Sequence, residues 1–340
     1  MSDHIKLALK WGIVFLLPAM LLLIPLTDVF TEQIRTFLML TLWAILVFMF
    51  EIMNTTAAAL LLTFSYGLFG VVPLTTALSP WTNTVLWMIF ASLVLVHVVE
   101  DTSLLKRLAY YLIIKTGGTY FGILFGLAGL CIISAILIPS IFTSFAVMTL
   151  AYGICLALGL EKGKATAGIM LVSGVTFAEA THFLYIPQGV GVSLSVINQV
   201  MELPSSYLMI VKHTIVFIPM VFLVTFLIGK LMKPEVPING ISYFKQELTA
   251  LGPMDKNDKK TLSILILLVL YLISTQWHGY DMAYGFIGAT VLMFIPGIGI
   301  GTKKHIQKVD MGILVFVASC MGIGVAGGAV GVGPLISNMV

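Results

Sequence analysis

From one end of the chain to the other, apolar stretches of 17 residues or more alternate with short polar gaps. At 1.5 Å per residue each is long enough, as a helix, to reach across most or all of a hydrocarbon core of roughly 30 Å. The pattern predicts apolar helices at about 11–27, 35–51, 54–72, 83–100, 119–138, 142–160, 164–186, 208–230, 261–277, 281–298 and 311–330, not all of which need to cross. The reading is an all-α polytopic membrane protein. The first stretch follows Lys6 and Lys10 as a signal peptide would. It carries Pro18 and Pro25 and lacks a small-x-small cleavage site, so it is expected to stay as a first transmembrane helix within residues 1–30.

Composition agrees with the pattern. Apolar residues make up 59% of the 340 residues, charged ones 10%, and mean hydropathy is +1.07, whereas soluble domains carry about 25% charged residues. The formal net charge of +3 is small and its carriers sit in the polar gaps, which excludes nucleic acid as a partner and points to the lipid bilayer. Basic clusters at Lys6/Lys10, Lys106/Arg107/Lys115, Lys162/Lys164, Lys230/Lys233, Lys245–Lys260 and Lys303/Lys304/Lys308 are expected in the cytoplasm together with the amino terminus. Cys131, Cys155 and Cys320 lie inside apolar stretches and read as packing residues without a disulfide.

Sliding the chain on itself by about 227 residues superposes three apolar stretches, and the third match extends to letters: Val85 to Ser92 (VLWMIFAS) falls on Ile313 to Ser319 (ILVFVAS). The two copies start on opposite sides of the membrane, which is the inverted-repeat plan of many secondary transporters. The expected organisation is a first repeat over 31–232, a cytoplasmic linker over 233–260, and the start of a second repeat over 261–340. With that offset the second repeat is incomplete at Val340. Roughly 120 further residues, with a second hairpin tip near position 366, are expected beyond it.

Between Thr119 and Leu160 no charged residue occurs, and Pro139-Ser140-Ile141-Phe142-Thr143-Ser144 divides the stretch, with basic residues at both ends. A re-entrant hairpin over about 119–160 accounts for this, with the hydroxyls of Ser140, Thr143 and Ser144 lining a cavity where an anion can be held. The same residue types also serve as ordinary helix-packing residues in membranes. Residues 164–195 read as a helix broken at its centre. They carry Ser173, Gly174, Thr176, Glu179, Thr181 and His182, then Pro187-Gln188-Gly189. Freed carbonyls and hydroxyls at Ser173, Gly174 and Thr176, with Ser140, are candidates for a coupling cation. Thr181, Pro187 and Gln188 are candidates for substrate. Glu179 and His182 share a helix face and are either a proton relay or a mutual hydrogen bond that holds the break. A Glu-x-x-His pair also occurs in di-iron bundles, which need a second copy and further carboxylates that cannot be placed here. No zinc-binding His-Glu-x-x-His and no serine nucleophile with a placed base occurs, so an enzyme is not expected, nor any cofactor beyond a coupling Na+ or H+.

The stretch Val85 to Leu112, with Glu100-Asp101-Thr102-Ser103-Leu104-Leu105-Lys106-Arg107, resembles a Glu-x-Thr-Gly-Leu-x-x-Arg element of the divalent-anion:sodium symporter family. Met311 to Leu335 resembles the same element in the family's second half, including Gly322 to Gly328. That family includes dicarboxylate, citrate and sulfate carriers. The resemblance implies a homodimeric, cation-coupled carrier of small anions in a bacterial inner membrane, moved by an elevator in which hairpin and broken helix travel together. Family members carry Ser-Asn-Thr at the hairpin tip; here Pro139-Ser140 fits, while Ile141 and Phe142 replace the other two. Gln188 stands where the family tends to have Asn. These departures leave sodium or protons as the coupling ion, an exchanger or an inactive fragment as the alternatives, and substrate identity open.

Overall fold

The computed structural model describes residues 3–160, 162–176, 184–198 and 206–337. Its elements are α1 (Asp3–Ala19), α2 (Glu32–Phe50), α3 (Thr55–Leu68), α4 (Leu74–Ala77), α5 (Thr84–Glu100), α6 (Leu104–Lys115), α7 (Tyr120–Leu137), α8 (Thr143–Ala157) and α9 (Lys164–Leu171). There follow α10 (Val192–Ile197), α11 (Tyr207–Thr214), α12 (Ile218–Leu231), α13 (Ile241–Ala250), α14 (Lys256–His278), α15 (Ala283–Phe294), α16 (Lys303–Gln307), α17 (Met311–Ala329) and α18 (Val332–Ser337). No strand occurs among the described residues. The protein is all-α and polytopic: Ile5–Leu23, Glu32–Phe50, Tyr120–Leu137, Tyr207–Leu231, Lys256–His278 and Met311–Ala329 are long and apolar enough to cross a bilayer. A seventh crossing arises if α5 and α6, bent by 70° at residues 101–103, form one span.

Helix ends follow local chemistry. Side chains of Thr31, Asn54, Thr119 and Asp255 accept the first free amides of α2, α3, α7 and α14, from Ile34, Ala57, Gly122 and Asp258. The α14 helix stops at Gly279, whose φ of 69° is the left-handed conformation that glycine reaches without strain. The first helix starts at Asp3, eight residues before the apolar stretch suggested, and Pro18 sits at its end, where a 3-10 turn over Met20–Leu23 takes over. Among the expected spans α3, α8 and α15 are short, with 14, 15 and 12 residues. Gly159, at positive φ, follows the end of α8, and α15 ends where Ile295 turns extended ahead of Pro296.

The chain divides into two compact units, each described by itself. The first comprises Met1–Leu86, Val196–Glu202 and Asp310–Val340. In it α3 packs on α17, where Thr63 Oγ donates to Ser319 Oγ at 3.1 Å and Ser319 Oγ donates to the Ala59 carbonyl at 2.9 Å. Phe37 stacks on Tyr66 and lies against Gly327, where a Cβ would stand 3.0 Å from the ring.

The second unit comprises Trp87–Ser195 and Leu203–Val309 and is built on α7, which packs against α6, α8 and α12. Residues 233–260, expected as a linker, hold α13 inside this unit. Ile241, Phe244, Leu248 and Leu251 recur at helical spacing, and Phe244 is fully buried against Tyr110. The elbow between α5 and α6 is tied to α16. His305 Nε2 meets Asp101 Oδ2 at 2.8 Å, and His305 Nδ1 accepts the Thr302 amide at 2.9 Å, which leaves the ring proton on Nε2 as the donor to Asp101. The His305 hydrogen bond, with Lys308 adding to it, holds the Asp101 carboxyl below the usual aspartate range. A carboxylate depressed in the folded state stabilises above its unfolded pKa, and the contribution is lost as pH falls through the folded pKa. The melting temperature of the native chain is therefore expected to exceed that of Asp101→Asn by a small, constant margin from neutral pH down to the ordinary aspartate range, and the margin to vanish on further acidification. A margin that grows with acidity would show that the tether is not carried by the ionised Asp101.

Candidate functional site

Within the second unit, α7 and α8 form a helical hairpin closed by residues 138–142. The turn satisfies itself: Thr143 Oγ donates to the Ile138 carbonyl at 3.3 Å and Ser144 Oγ to the Ile141 carbonyl at 2.6 Å. These two hydroxyls thus close the hairpin and do not reach toward Gln188. Ser140 is different. It is fully buried, and its Oγ accepts from Gln188 Nε2 at 3.2 Å.

Gln188 lies on a π-helical turn, Pro187–Gly191, that leads into α10. Buried Pro187 opens it because a missing amide costs nothing at the first position of a helical turn. Gln188 Nε2 also donates to Ser92 Oγ of α5 at 2.8 Å, so three segments distant in sequence meet at one neutral polar cluster of Ser92, Ser140 and Gln188. Gln188 Oε1 is enclosed and has no hydrogen-bond partner among the described residues. A buried amide oxygen left in this way costs about 1–3 kcal/mol and makes Gln188 Oε1 the candidate acceptor of the cluster.

Of the stretch expected to be a broken helix, α9 passes after Leu171 into a π-helical turn, Val172–Thr176, and residues 177–183, where the break is expected, lie outside the described residues. The side chains of the turn face inward on their own helix. Buried Ser173 Oγ donates to the Met170 carbonyl at 2.9 Å, buried Thr176 Oγ bonds the Val172 carbonyl, and Gly174 lies beside Met148. Hydroxyls used in this way do not offer their protons to a ligand, and two carbonyls of the turn are themselves engaged, that of Val172 by Thr176 Oγ and that of Ser173 by Cys131 Sγ at 3.7 Å. Glu179, Thr181 and His182 lie outside the described residues. Among the described residues no group of three His, Cys, Asp or Glu is placed to hold a metal ion.

Of the residues singled out by sequence, the structure therefore brings together Ser140 and Gln188, with Pro187 as support. Ser92 was missed as a site residue, although it ends the letter match between Val85–Ser92 and Ile313–Ser319. A separate cavity of about 500 Å³ is lined by Glu100, Thr102, Lys106, Tyr110, Thr149 and Tyr243 among others, and by none of the three cluster residues. His97 and Glu100, at the end of α5, pair with each other at 3.0 Å.

The family model for the sodium:sulfate symporter transmembrane region matches residues 5–337. A "Membrane protein" of Cupriavidus necator is 26% identical over 332 residues, covering 89% of this chain and 64% of its own length. "Inner membrane protein YbhI" of Escherichia coli is 25% identical over 238 residues, covering 67% of this chain and 50% of its own length. The chain thus spans 64% or less of the length of either relative.

Proposed function

We propose, on the premise that the chain belongs to the sodium:sulfate symporter family, that it works in a secondary carrier that moves small oxyanions across a membrane together with a coupling cation. One observation carries this reading: the cluster of buried Ser92 and Ser140 with half-buried Gln188, whose Oε1 is enclosed, is polar and neutral. Uncompensated charge at membrane depth is expensive. An anion that enters a site built from hydroxyls and an amide has its charge offset most cheaply by a cation that enters with it. In this reading the hairpin α7–α8 and the broken helix carry substrate as one body, and the carrier is a homodimer in a bacterial inner membrane.

The test is uptake of radiolabelled dicarboxylates, citrate and sulfate into proteoliposomes containing the chain, with sodium and pH gradients imposed separately. Accumulation driven by one of the two gradients is expected. Gln188→Ala and Ser140→Ala are each expected to lower uptake at least tenfold at unchanged protein incorporation, because each removes a buried hydrogen-bonding group. Accumulation that ignores both gradients, or full activity in both variants, would remove the reading.

A further inference from the structure

Ser92 decides which way the Gln188 amide faces. The single proton of Ser92 Oγ is donated to the Ile89 carbonyl of its own helix at 2.8 Å, so toward Gln188 the hydroxyl presents a lone pair. An amide oxygen turned toward that lone pair would be repelled, whereas the amide nitrogen meets it as a donor at 2.8 Å. The other N–H goes to Ser140 Oγ at 3.2 Å, which uses both amide protons. Gln188 Oε1 is then turned away from both serines, enclosed and without a donor among the described residues. Ser140 keeps its own O–H, which has no acceptor among them. The cluster thus offers a ligand an unused acceptor close to an unused donor.

Resting on the carrier reading above, we infer that Ser92 is a positioning residue that, through Gln188, makes the site select small oxyanions bearing an O–H group. Hydroxycarboxylates and singly protonated dicarboxylates have the required donor. A fully ionised dicarboxylate or sulfate has none, and its binding leaves the buried Oε1 unpaired. A site built to hydrogen-bond a substrate hydroxyl discriminates strongly against the analogue lacking it, because the protein group stays desolvated and unmatched.

Calorimetric titration of the purified chain with malate, succinate and sulfate at pH 8 and fixed sodium tests this, since malate and succinate differ by one hydroxyl. Malate is expected to bind at least about tenfold more tightly than either competitor. The gap to succinate is expected to narrow as pH falls into the range where succinate takes up a proton. In Ser92→Ala the amide is free to turn its oxygen to the Ser140 hydroxyl and its NH2 group to the ligand, so the malate preference should fall to parity or reverse. Ser92→Thr, which restores a hydroxyl, should restore the preference. Gln188→Met, which keeps the size of the side chain and removes both polar ends, should abolish the preference even if Ser92→Ala does not fold. Equal affinities in the native chain, or a preference unchanged in the folded variants, would overturn the inference while leaving an anion carrier in place. Sodium-dependent succinate binding whose sodium dependence is lost in Gln188→Met, at an unchanged malate-to-succinate ratio, would make Oε1 a cation ligand and would also overturn it. Absence of binding by all three anions would remove both the carrier reading and this inference.

Discussion

Arg107→Ala is expected to destabilise the purified chain by about 3–5 kcal/mol, seen as a fall of several degrees in melting temperature at a fixed scan rate in one detergent. The guanidinium closes the turn between α13 and α14 by donating to three backbone carbonyls, of Leu251 at 2.7 Å, Gly252 at 2.6 Å and Pro253 at 3.1 Å. It also donates to Ser103 Oγ at 2.5 Å and lies 3.3 Å from Asp258 Oδ2. Asp258 is 2% exposed and takes the Ser103 amide at 3.0 Å and the Ser103 hydroxyl as well. Removing Arg107 leaves this carboxylate buried without its cation and takes the donor from the part-buried Leu251 carbonyl, while the exposed Gly252 and Pro253 carbonyls turn to water. Most of the cost comes from those unmatched groups and little from the ion pair itself. Two controls follow. Arg107→Lys should recover less than half of the loss, because one ammonium cannot reproduce the planar fork that reaches several acceptors. Adding Asp258→Ala to Arg107→Ala should recover part of it by removing the unpaired charge. If Arg107→Ala melts within about a degree of the native chain, the clamp is not stabilising.

Gly168→Ala should cost about 3 kcal/mol, and Tyr120→Phe should give much of it back. A Cβ at residue 168 would stand 2.0 Å from the Tyr120 hydroxyl oxygen and 3.0 Å from the Met232 Cβ. Tyr120 is 4% exposed at the start of α7, so its ring has little room to swing away, and overpacking of this kind costs typically 1–3 kcal/mol and sometimes more. The Tyr120 hydroxyl has no hydrogen-bond partner among the described residues. Tyr120→Phe by itself is therefore expected to be neutral or slightly stabilising, since it removes an unsatisfied buried polar atom. In the double variant the nearest obstacle is gone, and the two changes should be non-additive by at least about 1 kcal/mol. Strict additivity in that cycle would mean that the close approach of α9 to α7 is not what requires glycine at 168.

Much of this architecture was legible because the bilayer imposes a coarse rule. Long apolar runs become helices, and the rule does not depend on which side chains later meet. The hairpin was readable from 42 uncharged residues interrupted at Pro139-Ser140, and the irregularity after α9, a π-helical turn, from polar residues and glycine at membrane depth. The role of α13 was not visible in a polar window average, although Phe244 with its i−3, i+4 and i+7 apolar neighbours is an amphipathic signal. The element from Glu100 to Arg107 was legible as a family-like motif. Its physical task, gripping the turn at Leu251 to Pro253, depends on contacts some 145 residues away and has no local signature.

The hydroxyl-bearing residues show the same division. By sequence alone Ser140, Thr143 and Ser144 were candidates for the anion and Ser140, Ser173 and Thr176 for the cation, each a small polar side chain in an apolar stretch. The sequence determined that the chain is an all-α membrane protein, where its helices break, and that the polar groups at those breaks carry no charge in the hairpin. Only tertiary structure decided that Thr143, Ser144, Ser173 and Thr176 bond back to their own backbone while Ser140 meets Gln188, and that Ser92 on α5 completes the cluster. The reason is physical: the burial of apolar runs is additive along the chain and readable residue by residue, whereas a hydroxyl bonds within a sphere of about 3 Å, and what enters that sphere is set by the packing of helices distant in sequence.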